Sequence, residues 1–135
     1  MPRWLLACCL IVLFAAPAAV LARGSESFPF GSELMFDTTP MYGSKRVPSI
    51  EIEEDGSAAI DLWCGSVRAQ ANVGSDGTIA IAAGTRNNGT CDPERIAGDD
   101  DLLDMLLHLT SWRRKGDLVE FSGAPGTMRF HLMTN

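Results

Sequence analysis

Residues 57–69, SAAIDLWCGSVRA, decide the fold of this chain. Ile60, Leu62 and Cys64 fall two apart, so an extended chain points them to one face, while Ala59, Asp61 and Trp63 point to the other. The stretch reads as one central strand carrying Cys64. Ahead of it, SIEIE at 49–53 is the cleanest alternation in the chain, and Asp55-Gly56 stands between the two. An Asp-Gly pair tolerates the positive φ of a tight turn, so the two runs form a hairpin.

Working outward, 33–37 holds Leu34, Met35 and Phe36 and reads as a first strand. Pro40, Gly43 and Pro48 make the following stretch a loop, and 23–30 reads as a polar, loosely held entry segment. Past residue 69, Asp76-Gly77 signals another turn. The strand 78–82, with Ile79 and Ile81 on one face, is expected to pair with 57–69. The loop 84–92 then delivers Cys91. Asn88-Gly89-Thr90 has the form of a glycosylation sequon.

One helix is signalled. Asp99, Asp100 and Asp101 suit a cap and first turn. Leu102, Met105, Leu106 and Leu109 share a face that Leu103 and Leu107 widen, with an end expected near Thr110. Strands at 111–115 and 118–122 flank Gly116-Asp117. A last strand at 127–133 alternates Met128, Phe130 and Leu132 with Arg129 and His131. Strands, one helix and strands again, with short connections, predict an α+β fold. The expected form is a curved antiparallel sheet or open barrel of six to eight strands with the helix packed on it.

The first 22 residues read as a secretory signal. Arg3 precedes an unbroken apolar run over 5–14, and Val20-Leu21-Ala22 offers small side chains for cleavage. An uncleaved anchor is the alternative, because 5–22 is just long enough to span a bilayer. Cleavage after Ala22 leaves one domain, 23–135, with its core at about 32–133. Cys8 and Cys9 leave with the signal. Cys64 and Cys91 remain as a pair in an exported chain, periplasmic or extracellular, where a disulfide is expected.

The chain has 11 basic and 17 acidic residues. Without Arg3, ten basic face seventeen acidic residues, a net of about −7. Nucleic acid and anionic membranes are poor partners for such a surface. No later segment is long and apolar enough to span a membrane.

Taken together, these features resemble the META domain family, that of the heat-shock protein HslJ, over about 49–132. The resemblance rests on the acidic-Gly turn at Asp55-Gly56, a strand carrying Cys64, the Asp76-Gly77 turn and Thr90-Cys91. It continues through the acidic, Leu-rich helix, Trp112, Gly116-Asp117 and the Met128–Phe130 strand. The family usually has Gly-Cys-Asn where this chain has Trp63-Cys64-Gly65. The resemblance implies a small envelope or secreted domain tied to stress tolerance, without a catalytic centre. Some members resemble folds that hold lipid or a partner peptide.

No catalytic residue stands out. Cys64, Cys91, His108 and His131 lack the short ligand pairs of structural zinc sites. The Asp99–Asp101 acids lack a calcium loop. His108 and His131 read as solvated, and no serine is marked as a partner for either. No metal and no cofactor is implied. Trp112 with Arg113, Arg114 and Lys115 offers a docking patch or the wet side of a hairpin. Trp63 is either buried or, with Val67 and Met35 nearby, part of a contact surface. The expected function is a non-enzymatic, monomeric META-like module for binding or envelope stress, holding a protein, peptide or lipid. The alternative is a secreted hydrolase inhibitor presenting the Cys91 loop.

Overall fold

The structure is a computed structural model that describes residues 26–134. The expected signal segment 1–22, its expected cleavage after Ala22, and residues 23–25 of the entry segment lie outside the described residues. The described chain forms eight strands and one helix. These are β1 (Glu33–Phe36), β2 (Ser49–Ile52), β3 (Ser57–Asp61), β4 (Ser66–Val73) and β5 (Ile79–Asn87). Then come α1 (Pro93–Leu107), β6 (Leu109–Lys115), β7 (Leu118–Gly123) and β8 (Gly126–Leu132).

All strands join one antiparallel sheet in the order β5-β4-β3-β2-β1-β8-β7-β6. The four-residue β1 is the seam. It pairs with β2 on one side and β8 on the other, joining two meanders into one surface. The register puts apolar residues on a shared inner row: Val67 opposite Ile60, Ile60 opposite Ile50, Ile50 opposite Leu34, and Leu34 opposite Leu132. The first four are at most 2% exposed. Cross-strand rows of this kind fix register, because a slip of one residue would turn the whole set to solvent.

The sheet curls into a half-barrel. Its edge strands meet only at one end, where Thr78 bridges Ser111 and the Trp112 N–H donates to the Gly77 carbonyl at 2.8 Å. We call this the upper end; the β2–β3, β4–β5 and β6–β7 turns lie there. Gly56 shows why glycine is needed in the first of them. Its φ is +87°, and a Cβ there would stand 2.5 Å from the Ala71 carbonyl oxygen. At the lower end the edges part, and α1 crosses the gap between β5 and β6.

Three expectations need correction. The run 57–69 is not one strand. It breaks at 62–65, where the Leu62 N–H donates to the Gly65 carbonyl at 2.9 Å and turns the chain into a hairpin. Leu62 and Cys64 are buried as a same-face pair would be, at 0% and 7%, but they lie in the turn, where Asp99 of α1 accepts from the Cys64 N–H. Alternation therefore mimicked a continuous strand. The strand expected at 78–82 pairs with β4 at Gln70–Val73, just past that run, and continues to Asn87. Only 88–92 of the expected loop is a connection. The signal was missed because residues 82–85 are exposed and carry no apolar alternation.

The helix also starts earlier than expected. Asp92 is its N-cap, with Oδ1 accepting from the Arg95 N–H at 3.0 Å, and Pro93 opens the first turn. It ends at Leu107, and Leu109 and Thr110 belong to β6. The buried stripe is Asp99, Leu102, Leu103 and Leu106, so an acid occupies the place where a fourth apolar residue belongs.

The entry segment is the third correction. Phe28 is 6% exposed and plugs the upper end. Its ring lies 5.1 Å from Trp112 in an edge-to-face arrangement and 6.2 Å from Phe121. Phe28→Ala should lower the unfolding free energy by about 3–5 kcal/mol, as for other buried phenylalanines. Urea denaturation checks this; a change under about 1 kcal/mol would mean the segment is loosely held after all.

Candidate functional site

The chemistry-bearing residues gather at the two ends of the half-barrel. At the lower end, Cys64 and Cys91 are joined, with their α-carbons 6.1 Å apart. The bond links the β3–β4 turn to the residue just before the helix cap. Inside it lies Asp99, 2% exposed. One carboxylate oxygen accepts from the Cys64 N–H at 2.9 Å, the other from the Gly65 N–H at 2.7 Å. A buried carboxylate is costly unless such donors satisfy it. Outside the turn, Arg46 donates to the carbonyls of Cys64 and Gly65 at 3.1 and 3.0 Å. Both faces of the turn are thus bound by charged side chains.

Trp63 is half-buried and lies in this turn. A Cβ added to Gly98 of α1 would stand 3.0 Å from the Trp63 ring and 2.3 Å from the Met41 methyl. Trp63 and Met41 therefore cover the helix where it is narrowest. The sequence places Asp99 at the helix cap, whereas the structure puts it inside the helix on the buried stripe. Its spacing from Leu102, Leu103 and Leu106 was the available signal.

Trp112 is a correction to the expected contact patch. It is 6% exposed, and its Nε1–H donates to the Gly74 carbonyl at 3.0 Å. Arg113, on the other face of β6, is exposed and donates from Nε and Nη2 to one oxygen of Glu120 at 2.9 and 2.6 Å. Arg129 approaches the other Glu120 oxygen at 3.7 Å. Arg114 points back to the entry segment, donating to the Ser27 carbonyl and pairing with Glu26 at 3.4 Å. Strand alternation therefore splits Trp112, Arg113 and Arg114 between two faces.

Trp112 instead helps line an open cleft of about 300 Å³ at the upper end, with Phe28, Phe30, Val73, Gly74 and Ser75. That size is at the small end of ligand-binding clefts.

The histidines are apart from both ends' clusters. His108 caps the helix, with Nδ1 2.7 Å from the Asp104 carbonyl oxygen. His131 lies 3.3 Å from Asp37 on the outer face. Among the described residues, no group of three or more His, Cys, Asp or Glu is placed to hold a metal ion. No helix among them is long and apolar enough to cross a membrane.

Among the described residues, three carboxylates have shifted acidities, all in upper turns. Asp55 and Asp76 are held below the usual aspartate range by the hydroxyls and backbone N–H groups of Ser57 and Thr78. Glu53 is raised, first by sharing a hydrogen bond with Glu51, then by burial and by the charges of Glu51 and Asp55.

Neither a protein-family model nor a curated protein sequence matches the chain. Two solved structures share its fold. One is a DUF4847 family protein from Bacteroides vulgatus, 11% identical with a TM-score of 0.51, over 62% of this chain and 57% of that one. The chain thus spans little more than half the length of that protein. The other, solved by NMR, is 13% identical with a TM-score of 0.56, over 75% of this chain and 88% of that one. At these identities the likeness concerns the fold alone.

Two predictions follow from this geometry. Removing the Asp99 carboxylate strands two buried N–H donors, so Asp99→Ala should cost at least about 1–3 kcal/mol. Asp99→Asn should cost less, because its carbonyl still serves one donor. The Cys64→Ala, Cys91→Ala pair should cost about 3–4 kcal/mol through the opened loop. Urea midpoints of all four proteins measure this, and a neutral Asp99→Ala would show that the turn does not need the carboxylate.

The acid limb has opposing contributions. Asp55 and Asp76 stabilise the fold above the pKa of an unfolded aspartate, and that help is lost as pH falls through their lowered folded values. Glu53 carries a penalty at neutral pH that is relieved as pH falls through its raised value. Glu53→Gln should therefore stabilise at pH 7 and lose its advantage in acid. Asp55→Asn should do the reverse, destabilising at pH 7 and converging with wild type in acid. Unfolding midpoints across a pH series read both signs.

Proposed function

We propose that this chain is an exported, non-enzymatic binding module of META type that acts in the cell envelope or outside the cell. The observation that carries the reading is the bond between Cys64 and Cys91. Two cysteines held in one covalent pair suit an oxidising compartment, where such bonds persist. The disulfide and the lack of a membrane-spanning helix among the described residues are compatible with export. A half-barrel sealed at one end by aromatics and at the other by a helix supports a role in holding a partner on its surface. Among the described residues, His108 is engaged by the Asp104 carbonyl and His131 lies beside Asp37 on the outer face.

The inhibitor reading has less behind it. A presenting loop should project, but Gly89 lies against the β3–β4 turn, where a Cβ would be 2.9 Å from the Cys64 carbonyl oxygen. The Cys91 segment is flattened onto the body of the protein.

Expression of the full 135-residue chain in a secreting host, followed by intact mass measurement without reductant, tests the reading. The expected product begins at Arg23 and is two hydrogens lighter than its reduced form. A product that begins at Met1 in the cytoplasm, or that carries two free thiols, overturns it.

A further inference from the structure

The upper cleft has an apolar wall with acid on its lip. Phe28 and Trp112 are both 6% exposed, whereas Phe30, 4.9 Å from Phe28, is 36% exposed. The partly bare ring thus sits at the mouth of a site whose deeper aromatics are already packed. Phe30 and Val73 also line an adjoining depression of about 380 Å³, with Glu54, Asp55, Gln70 and Asn72. Among the described residues, no basic side chain lines either part. Glu54 makes no hydrogen bond or ion pair among the described residues, and Asp55 is aimed by its bond to Ser57. Glu26, on the opposite wall, is already engaged by Arg114 and the Gly116 N–H.

The walls are fixed before any ligand arrives. The Gly31 N–H donates to the Ile52 carbonyl at 2.9 Å, and Trp112 holds the Gly74 carbonyl at 3.0 Å. A preformed site loses little entropy on binding. Its open shape and volume of about 300 Å³ suit one bulky side chain better than a long acyl chain, and its carboxylates repel anionic headgroups.

We propose that this cleft docks a cationic peptide segment, seating an aromatic or aliphatic side chain against Phe30 and Val73 and an adjacent Lys or Arg beside Glu54 and Asp55. The proposal rests on the binding-module reading and names its site and the chemistry of its partner. Apolar contact gives the anchor, and charge complementarity selects the partner.

Protein purified from cells expressing the full 135-residue chain, labelled with ¹⁵N, is titrated with acetyl-Lys-Leu-Phe-Lys-amide. The expected result is shift changes at Phe30, Val73, Gly74 and the Trp112 indole N–H, weakening with salt. Acetyl-Glu-Leu-Phe-Glu-amide and acetyl-Lys-Ser-Ser-Lys-amide should each bind at least about tenfold more weakly. Phe30→Ser, a lip substitution, should abolish the shifts while leaving the spectrum folded. Glu54→Gln should weaken binding without changing the unfolding midpoint. Equal binding of the acidic peptide, shifts confined to another face, or contacts from residues 23–25 filling the cleft would each overturn the proposal. Neutral phosphatidylcholine vesicles producing the same shifts would also overturn it, in favour of lipid. All of these leave the export and disulfide result untouched, so the two readings fail separately.

Discussion

A buried carboxylate held by two backbone N–H groups fixes how the helix meets the sheet. Asp99 sits where the apolar stripe of α1 would otherwise continue, and it grips Cys64 and Gly65 across the interface. Without those donors the acid would be an unpaired buried charge, which a domain of this size tolerates poorly. The bond is also directional. Leucines can slide on a sheet, but a carboxylate serving two adjacent N–H groups has few other settings. Leu102, Leu103 and Leu106 therefore enter the half-barrel in one register.

The disulfide acts on the same junction by a different route. It closes the chain from Cys64 to Cys91, a separation of 27 residues, and so restricts the unfolded ensemble. Asp99 contributes in the folded state, because its two hydrogen bonds exist only when helix and turn are docked. The bond thus keeps the helix near the turn, and the carboxylate sets its angle and position. Arg46 adds a third hold from outside by taking the carbonyls of the same two residues. The N–H groups of Cys64 and Gly65 face the helix while their carbonyls face solvent-side arginine, so this short turn leaves little backbone unsatisfied.

Much of this was legible in the sequence because hairpins are local. Asp55-Gly56, Asp76-Gly77 and Gly116-Asp117 mark turns by their backbone needs, and alternation marks the strands between them. The break at 62–65 was not legible because Ile60, Leu62 and Cys64 keep a strand's period while the chain turns. Ile60 stays on the inner row of the sheet, whereas the Cys64 N–H is held by Asp99, 35 residues on in sequence. The helix start was misplaced because three consecutive aspartates outweighed Asp92-Pro93, the quieter and correct signal. Phe28 was missed for a similar reason. The residues before it are polar, and only the fold brings Trp112 and Phe121 to it. The pattern of Trp112, Arg113 and Arg114 looked like one patch, although adjacent residues on a strand face opposite ways.

The two ends of the half-barrel solve one problem with different chemistry, and the difference bears on function. A curled sheet that does not close leaves two edges and an open core. At the lower end the gap is filled by a helix tied down by the disulfide just before its cap, by the Asp99 hydrogen bonds and by the Arg86–Asp100 ion pair. At the upper end the plug is a short aromatic segment, and Phe30 stays partly in solvent beside Glu54, which makes no ion pair among the described residues. Apolar surface left next to unpaired charge on a rigid frame is where binding releases most water and meets least rearrangement. The rigid lower junction keeps the strands in register, and those strands carry the upper turns. The end that is locked thereby holds the end that is open in shape.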